Sequence, residues 1–354
     1  MSLTSEIRRP DGFVRAFIDL QFPHLKALAR ECNERARTLG LSRLPNPHER
    51  RGASMLVGTA VDYRVRAYFD RHINDSDAVL RGLTFLCNLK EFRKPFVDPA
   101  TGSHREAIGN GLYWADYVIT DNPWYWRRRK KIAERLYSSY SRFCSRVRPE
   151  GRKLSSTDEE RMCRYCALFA LLDWVGRSPV DSIVEGLVKL ANPKATRMLA
   201  KIDAEVVRDL KGLSHLFYSQ GRALFKSDKT VAIGSTLAGS RDIGGADCDL
   251  IVDGCLLDLK TSLKPTIQTA HLRQLVGYCL LDYDDALRLS SAAIMLTRHS
   301  LTHRFSLDEL LGSRRNLAEL RQDFRAGLQQ QFASRVRVAT SRGMSRPRAT
   351  PLRA

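Results

Sequence analysis

The run from Gly244 to Thr261 constrains this chain more tightly than any other part of it. Two strand-like segments flank the pair Asp253-Gly254. An Asp-Gly pair in that setting marks a two-residue type I′ hairpin turn, because both central residues need positive φ. Counting outward from the turn, Val252 faces Cys255, Leu250 faces Leu257, Asp249 faces Asp258 and Asp247 faces Lys260. Side chains alternate along a strand. Asp247, Asp249, Asp258 and Lys260 therefore share one face, and Cys248, Leu250 and Leu259 the other.

Like charges opposed across a sheet are destabilising, so the pair Asp249 and Asp258 calls for a counter-charge. A hard divalent cation such as Mg²⁺ or Mn²⁺ supplies one, since it prefers carboxylate and carbonyl oxygens. Lys260, two residues past Asp258 on the same face, is placed to hold a water or to meet charge developing on a phosphate. The plainer alternative is a polar hairpin face turned to solvent.

The chain of 354 residues carries 58 Lys and Arg against 39 Asp and Glu, a formal net charge of +19. That balance favours a polyanionic partner such as nucleic acid over a small acidic substrate. The positive charge is unevenly spread. Residues 228–310 hold eleven acidic and eight basic residues, so the excess lies outside the hairpin region. An acidic patch inside a basic body suits a metal-dependent enzyme acting on a phosphodiester backbone. No apolar run reaches membrane-spanning length, and residues 1–10 lack the apolar centre of a signal peptide. The expectation is a cytoplasmic protein with no membrane partner.

Eight cysteines are dispersed along the chain, and only Cys163 and Cys166 lie close together. That pair sits in a helical pattern with no second pair at metal-site spacing, so buried reduced thiols are expected. No Gly-x-x-x-x-Gly-Lys-Ser/Thr segment is present, which removes support for a nucleotide-driven motor.

Apolar spacing predicts a mostly helical region over 1–203, with helices at 13–37 (broken near Pro23), 53–71, 125–146, 156–175 and 180–191. Residues 95–105 and 147–155 read as loops. From 204 onward the order is helix, three strands, helix, two strands and helix, the pattern of an α/β (α+β) sheet core over 204–330. Asp282, Asp284 and Asp285 mark a solvated end for the helix beginning near Ile267. The last helix starts at Ser306, with Glu309 as its capping-box partner. The basic segment 331–354, with six arginines after Ser334 and no acids there, is expected to be disordered.

Over roughly residues 204–300 the chain resembles the PD-(D/E)XK nuclease superfamily, and within it the RecB-type exonucleases. Asp249 matches the acid of the second core strand, and Asp258-Leu259-Lys260 the acid, spacer and lysine of the third. Gln274-Leu275-Val276-Gly277-Tyr278 matches the Gln-x-x-x-Tyr motif on the next helix. Gln274 and Tyr278 are four apart and share a helical face, with His271 nearly in line. The plain alternative is that Tyr278 packs under the sheet and Gln274 caps a strand.

The resemblance implies a restriction-endonuclease-like core and Mg²⁺- or Mn²⁺-dependent hydrolysis of nucleic acid, DNA ahead of RNA. Asp249, Asp258 and the main-chain carbonyl of Leu259 would ligate the metal. Lys260 would orient the attacking water or neutralise the pentacovalent phosphorane. The family's first core helix commonly carries a glycine and then a histidine or acid near the metal. Gly58 and Asp62 stand at that place, and Asp62 reads equally well as an ordinary helix-surface acid. If the match holds, the helices between Asp62 and the hairpin are an insertion wrapped around one core. Asp247 has three roles open to it: pairing with Lys260, touching a second metal, or facing water. No cysteine follows Cys279, so no iron–sulfur cluster is expected.

Trp124-Tyr125-Trp126-Arg127-Arg128-Arg129-Lys130-Lys131 interleaves aromatics with charge, as in sites that stack bases and bind phosphates. A solvated helix face anchored by its tryptophans has the same composition. The rival function class is a non-catalytic nucleic-acid-binding or assembly protein on a nuclease-like fold.

Overall fold

The computed structural model describes residues 3–39, 51–73, 78–80, 82–83, 96–97, 104–105, 123–177, 190, 192, 194–220, 231–234, 237–312 and 316–343. Helices α1 (Leu3–Arg8), α2 (Phe13–Gln21), α3 (Leu25–Thr38) and α4 (Arg51–Phe69) come first. A short ribbon pairs β1 (Phe96–Val97) with β2 (His104–Arg105), inside a stretch expected to be loop. Helices α5 (Pro123–Val147), α6 (Ser156–Arg177), α7 (Ala195–Ala200) and α8 (Ala204–Ser219) follow. Most of the helix expected over 180–191 lies outside the described residues.

A five-stranded mixed sheet then forms in the order β3 (Val231–Ile233), β4 (Leu250–Val252), β5 (Cys255–Lys260), β6 (Ser291–Leu296), β7 (Leu301–Ser306). Only β5 and β6 run parallel, and helix α9 (Thr269–Leu281) carries the crossover between them. Helices α10 (Leu307–Leu311) and α11 (Leu317–Gly343) complete the described residues. Ser306 caps α10 by accepting the Glu309 amide at 3.0 Å.

The hairpin turn is built as its sequence dictates. Asp253 and Gly254 both take positive φ, 48° and 72°, and the ladder pairs Val252 with Cys255 and Leu250 with Leu257. Any Cβ at Gly254 would stand 2.9 Å from the Arg288 carbonyl oxygen, so glycine is required on two counts.

Each face of the sheet is covered. Ile251, Leu256, Ala292, Ile294 and Leu296 pack against α1–α3, α9 and α11 through residues such as Leu3, Ile18, Leu275 and Phe324. Leu250, Leu257, Leu259 and Met295 pack the other way, against Val65, Tyr68 and Phe217 of α4 and α8. Behind α4 and α8 a helical core centres on α6, where Met162, Cys163 and Tyr165 to Ala170 are almost wholly buried. Covered on both faces, β5 reads as a nearly unbroken apolar run, as parallel central strands do.

Packing does not divide the chain at 203. Residues of α1–α3 join the sheet's core, while Val206, Leu210 and Leu213 of α8 join the helical one. Helix α11 runs to Gly343, so the first thirteen residues of the segment expected to be disordered, 331–343, are helical. Extending a helix already nucleated by buried Leu320, Phe324 and Leu328 costs little. Asp282 is a second correction. It is 1% exposed and paired at 3.1 Å with Arg321 of α11, so α9 ends on a buried ion pair instead of in solvent. The seven described cysteines are buried and form no disulfide.

Candidate active site

Strand β5 alternates Leu257 and Leu259 into one core with Leu256, Asp258 and Lys260 toward α9. Lys260 Nζ lies 2.6 Å from Asp258 Oδ2, an ion pair out of line for a hydrogen bond, and donates to Gln274 Oε1 at 3.0 Å. The Gln274 amide nitrogen donates in turn to the Tyr278 hydroxyl at 2.7 Å. With its nitrogen spent on the tyrosine, Gln274 turns its carbonyl oxygen toward the lysine. The i,i+4 pair on α9 thus works as a clamp on Lys260.

Asp249 arrives differently from the sequence expectation. The β4–β5 ladder stops at Leu250 and Leu257, and the backbone bends at Asp249. Its carboxylate accepts the Leu259 amide at 3.0 Å, replacing the next ladder bond with a side chain. One residue of bend reverses the alternation upstream of it. Cys248 consequently joins the core under α9 with Ile251, not the Leu250 face. Asp247, displaced likewise, does not engage Lys260. It lies 3.5 Å from Arg177 of α6, which also pairs with Asp173, whose other oxygen accepts from Tyr63 Oη at 2.5 Å.

Helix α4 brings Asp62 to the same acids. Asp62 is held well above the usual carboxylate range, by burial first and then by Asp249, with Arg66, Lys260 and Asp258 also acting on it. Asp62 is half-buried, with Oδ1 turned away from solvent, which is not the setting of an ordinary helix-surface acid. Arg66, one turn on, donates to Asp249 Oδ1 at 3.3 Å and lies over the Tyr63 ring at 5.6 Å. No sequence reading singled out Arg66. The available signal was its i,i+4 spacing from Asp62.

Burial raises Asp258 to about 6, against the pull of Lys260 and with help from Asp249. Lys260 is raised despite burial, because Asp258 and Asp249 favour its charged form. Tyr278 is pushed well above its usual value by burial and then by Asp258 and Asp249, so it stays protonated. His271 is lowered to about 4, by burial and then by Lys260 and Arg8. Its neutral ring accepts the Gln268 amide at 3.2 Å and caps α9, which is a structural task.

One buried carboxylate oxygen, Asp62 Oδ1, has no hydrogen-bond partner, and Asp258 Oδ2 has only the Lys260 ammonium beside it at 2.6 Å. Acceptors so short of donors fit a hard cation. Among the described residues, however, no three His, Cys, Asp or Glu side chains converge into a ready ligand group. Arg66 and Lys260 are seated on the acids instead.

A cavity of about 410 Å³ opens elsewhere, lined by Arg64, Lys153, Glu159, Lys211 and His215 among others. None of the acids above lines it, and Arg64 there is closed off by a two-pronged bond to Glu159 at 2.7 and 2.8 Å. The residues Arg127, Arg128, Arg129 and Lys130 fall in α5, but their side chains lie outside the described residues. Among the described residues no helix is long and apolar enough to cross a membrane. Compared with protein-family models, curated proteins and solved structures, the chain finds no match.

Proposed function

We propose that this protein is a metal-dependent nuclease of the PD-(D/E)XK type, hydrolysing phosphodiester bonds of nucleic acid, with DNA the favoured substrate. One observation carries the reading: a buried Asp258–Lys260 pair, clamped by Gln274 and Tyr278, beside two further buried or half-buried acids, Asp249 and Asp62. Stability alone gives no reason to bury three carboxylates together.

A hard divalent cation held by Asp249, Asp258 and the Leu259 carbonyl, with Asp62 adjoining, would neutralise a non-bridging phosphate oxygen and lower the pKa of the attacking water. The protein supplies the rest. Lys260, fixed by Gln274, donates to the water or to the phosphate oxygens as negative charge builds on them. Tyr278 keeps the Gln274 amide in the orientation that presents its oxygen to Lys260. The net charge of +19 draws a polyanion to the surface around the acidic centre.

The test is incubation of the purified protein with supercoiled, linear and single-stranded DNA and with RNA, in Mg²⁺ or in EDTA. Metal-dependent degradation that vanishes in Asp258→Ala and in Lys260→Ala, both still folded, supports the enzyme. Binding without cleavage under every condition selects the non-catalytic alternative.

A further inference from the structure

Arg66 is the least expected feature of the site. Its side chain is only 12% exposed, its terminal nitrogen reaches Asp249 Oδ1 at 3.3 Å, and its Nε is buried with no partner. A guanidinium carries five donors in a fixed fork and is costly to bury with some of them unpaired. The surroundings nevertheless make room for it. Gly234 at the end of β3, held at φ 56°, would bring a Cβ within 3.3 Å of Arg66 Nη1, and the Gly234 amide itself donates to the Asp249 carbonyl at 3.2 Å.

We infer that Arg66 is an internal counter-cation that competes with the metal for Asp249 and, once displaced, turns its unpaired donors onto the phosphate being cleaved. Among the described residues the acids form no ready ligand group, and Arg66 is seated on one of them. A divalent cation that takes the Asp249 carboxylate must therefore displace the guanidinium, whose buried Nε already lacks a partner. The inference rests on the nuclease reading above and adds to it the role of a residue on a different element.

The test uses Arg66→Met, which keeps length and apolar packing over Tyr63 and removes the charge, with Arg66→Lys as the charge-retaining companion. Mn²⁺ binding is measured by calorimetry on the full chain without nucleic acid, and single-turnover cleavage separately. The expected result is Mn²⁺ binding by all three proteins. Arg66→Met should bind it roughly tenfold tighter, because a competing positive charge a few ångströms away is gone, and yet cleave more slowly. Arg66→Lys should bind like wild type and recover part of the rate. Weaker or unchanged Mn²⁺ binding in Arg66→Met overturns the inference while leaving the nuclease reading intact. A wild-type chain that neither binds Mn²⁺ nor cleaves overturns both. If Arg66→Met fails to fold, Arg66→Lys and Arg66→Gln carry the same comparison.

Discussion

Replacing Asp258 with asparagine should make the metal-free protein more stable while removing its activity. Asp258 has an ordinary value of 3.8 and is raised to about 6 in the folded chain by burial, with Asp249 adding to that and Lys260 opposing it. A folded-state pKa above the unfolded one means that the folded protein binds the proton more tightly. That proton-linked stability is complete below about pH 4, drains away as pH climbs through about 6, and is gone above it. At pH 8 the ionised side chain therefore costs about 3 kcal/mol relative to its neutral form, at 1.36 kcal/mol per pH unit of displacement. Asparagine mimics the neutral form and keeps Lys260 on its Gln274 partner. Asp258→Asn should gain about 3 kcal/mol at pH 8 in EDTA but only about half a kcal/mol near pH 4. Urea denaturation at the two pH values measures both. Excess Mg²⁺ should then stabilise wild type and leave the variant unmoved. A variant no more stable than wild type at pH 8, or with an equal gain at both pH values, refutes the reasoning.

The clamp on Lys260 gives a second expectation: Gln274→Ala and Tyr278→Phe should each slow single-turnover cleavage by roughly tenfold to a hundredfold, the usual cost of losing an orienting partner, with substrate affinity little changed. Reversing Arg127, Arg128 and Arg129 to glutamate should flatten the salt dependence of DNA binding, by about 0.9 in the log–log slope for each phosphate no longer neutralised; an unchanged slope removes that segment from the interface. Asp209→Ala strips the partner from Arg298, a pair at 2.5 and 2.7 Å with both side chains 1% exposed. It should cost about 3–5 kcal/mol in urea denaturation, because the arginine is left buried and unpaired.

The parts of the fold that local chemistry decides were legible in the chain. Asp253-Gly254 set the turn and with it the pairing of Leu250 with Leu257, and Ser306 with Glu309 set the start of α10. Gln274 and Tyr278 share a face at any helical spacing of four. What could not be read depends on partners distant in sequence. Asp282 looks like a solvated helix-end acid until Arg321 arrives 39 residues later. Asp247 looks set opposite Lys260 until the bend at Asp249 turns it toward Arg177. That bend has no glycine or proline at its apex. It is set by a side chain, Asp249, taking the Leu259 amide, and alternation has no means of announcing a single residue out of step.

The two hydrophobic surfaces of the sheet explain why the acids are expensive and why they are held so firmly. Strand β5 is covered on both sides, so Asp258 is wholly buried and only Lys260, at the strand's end, keeps part of its side chain in reach of water. The most stable sequence for such a strand is apolar at every position, and Cys255, Leu256, Leu257 and Leu259 meet that pattern while Asp258 and Lys260 break it. A charged pair in that place could be exchanged for apolar residues with no loss of stability, so packing alone gives no account of it. Its neighbours point the same way. Gln274 and Tyr278 from α9 approach from one layer, and Asp62 and Arg66 from α4 come from the layer across the sheet. Two helices that share no packing core are thus brought to one pair of charges, and sequences tend to depart from local stability rules in this way at functional sites.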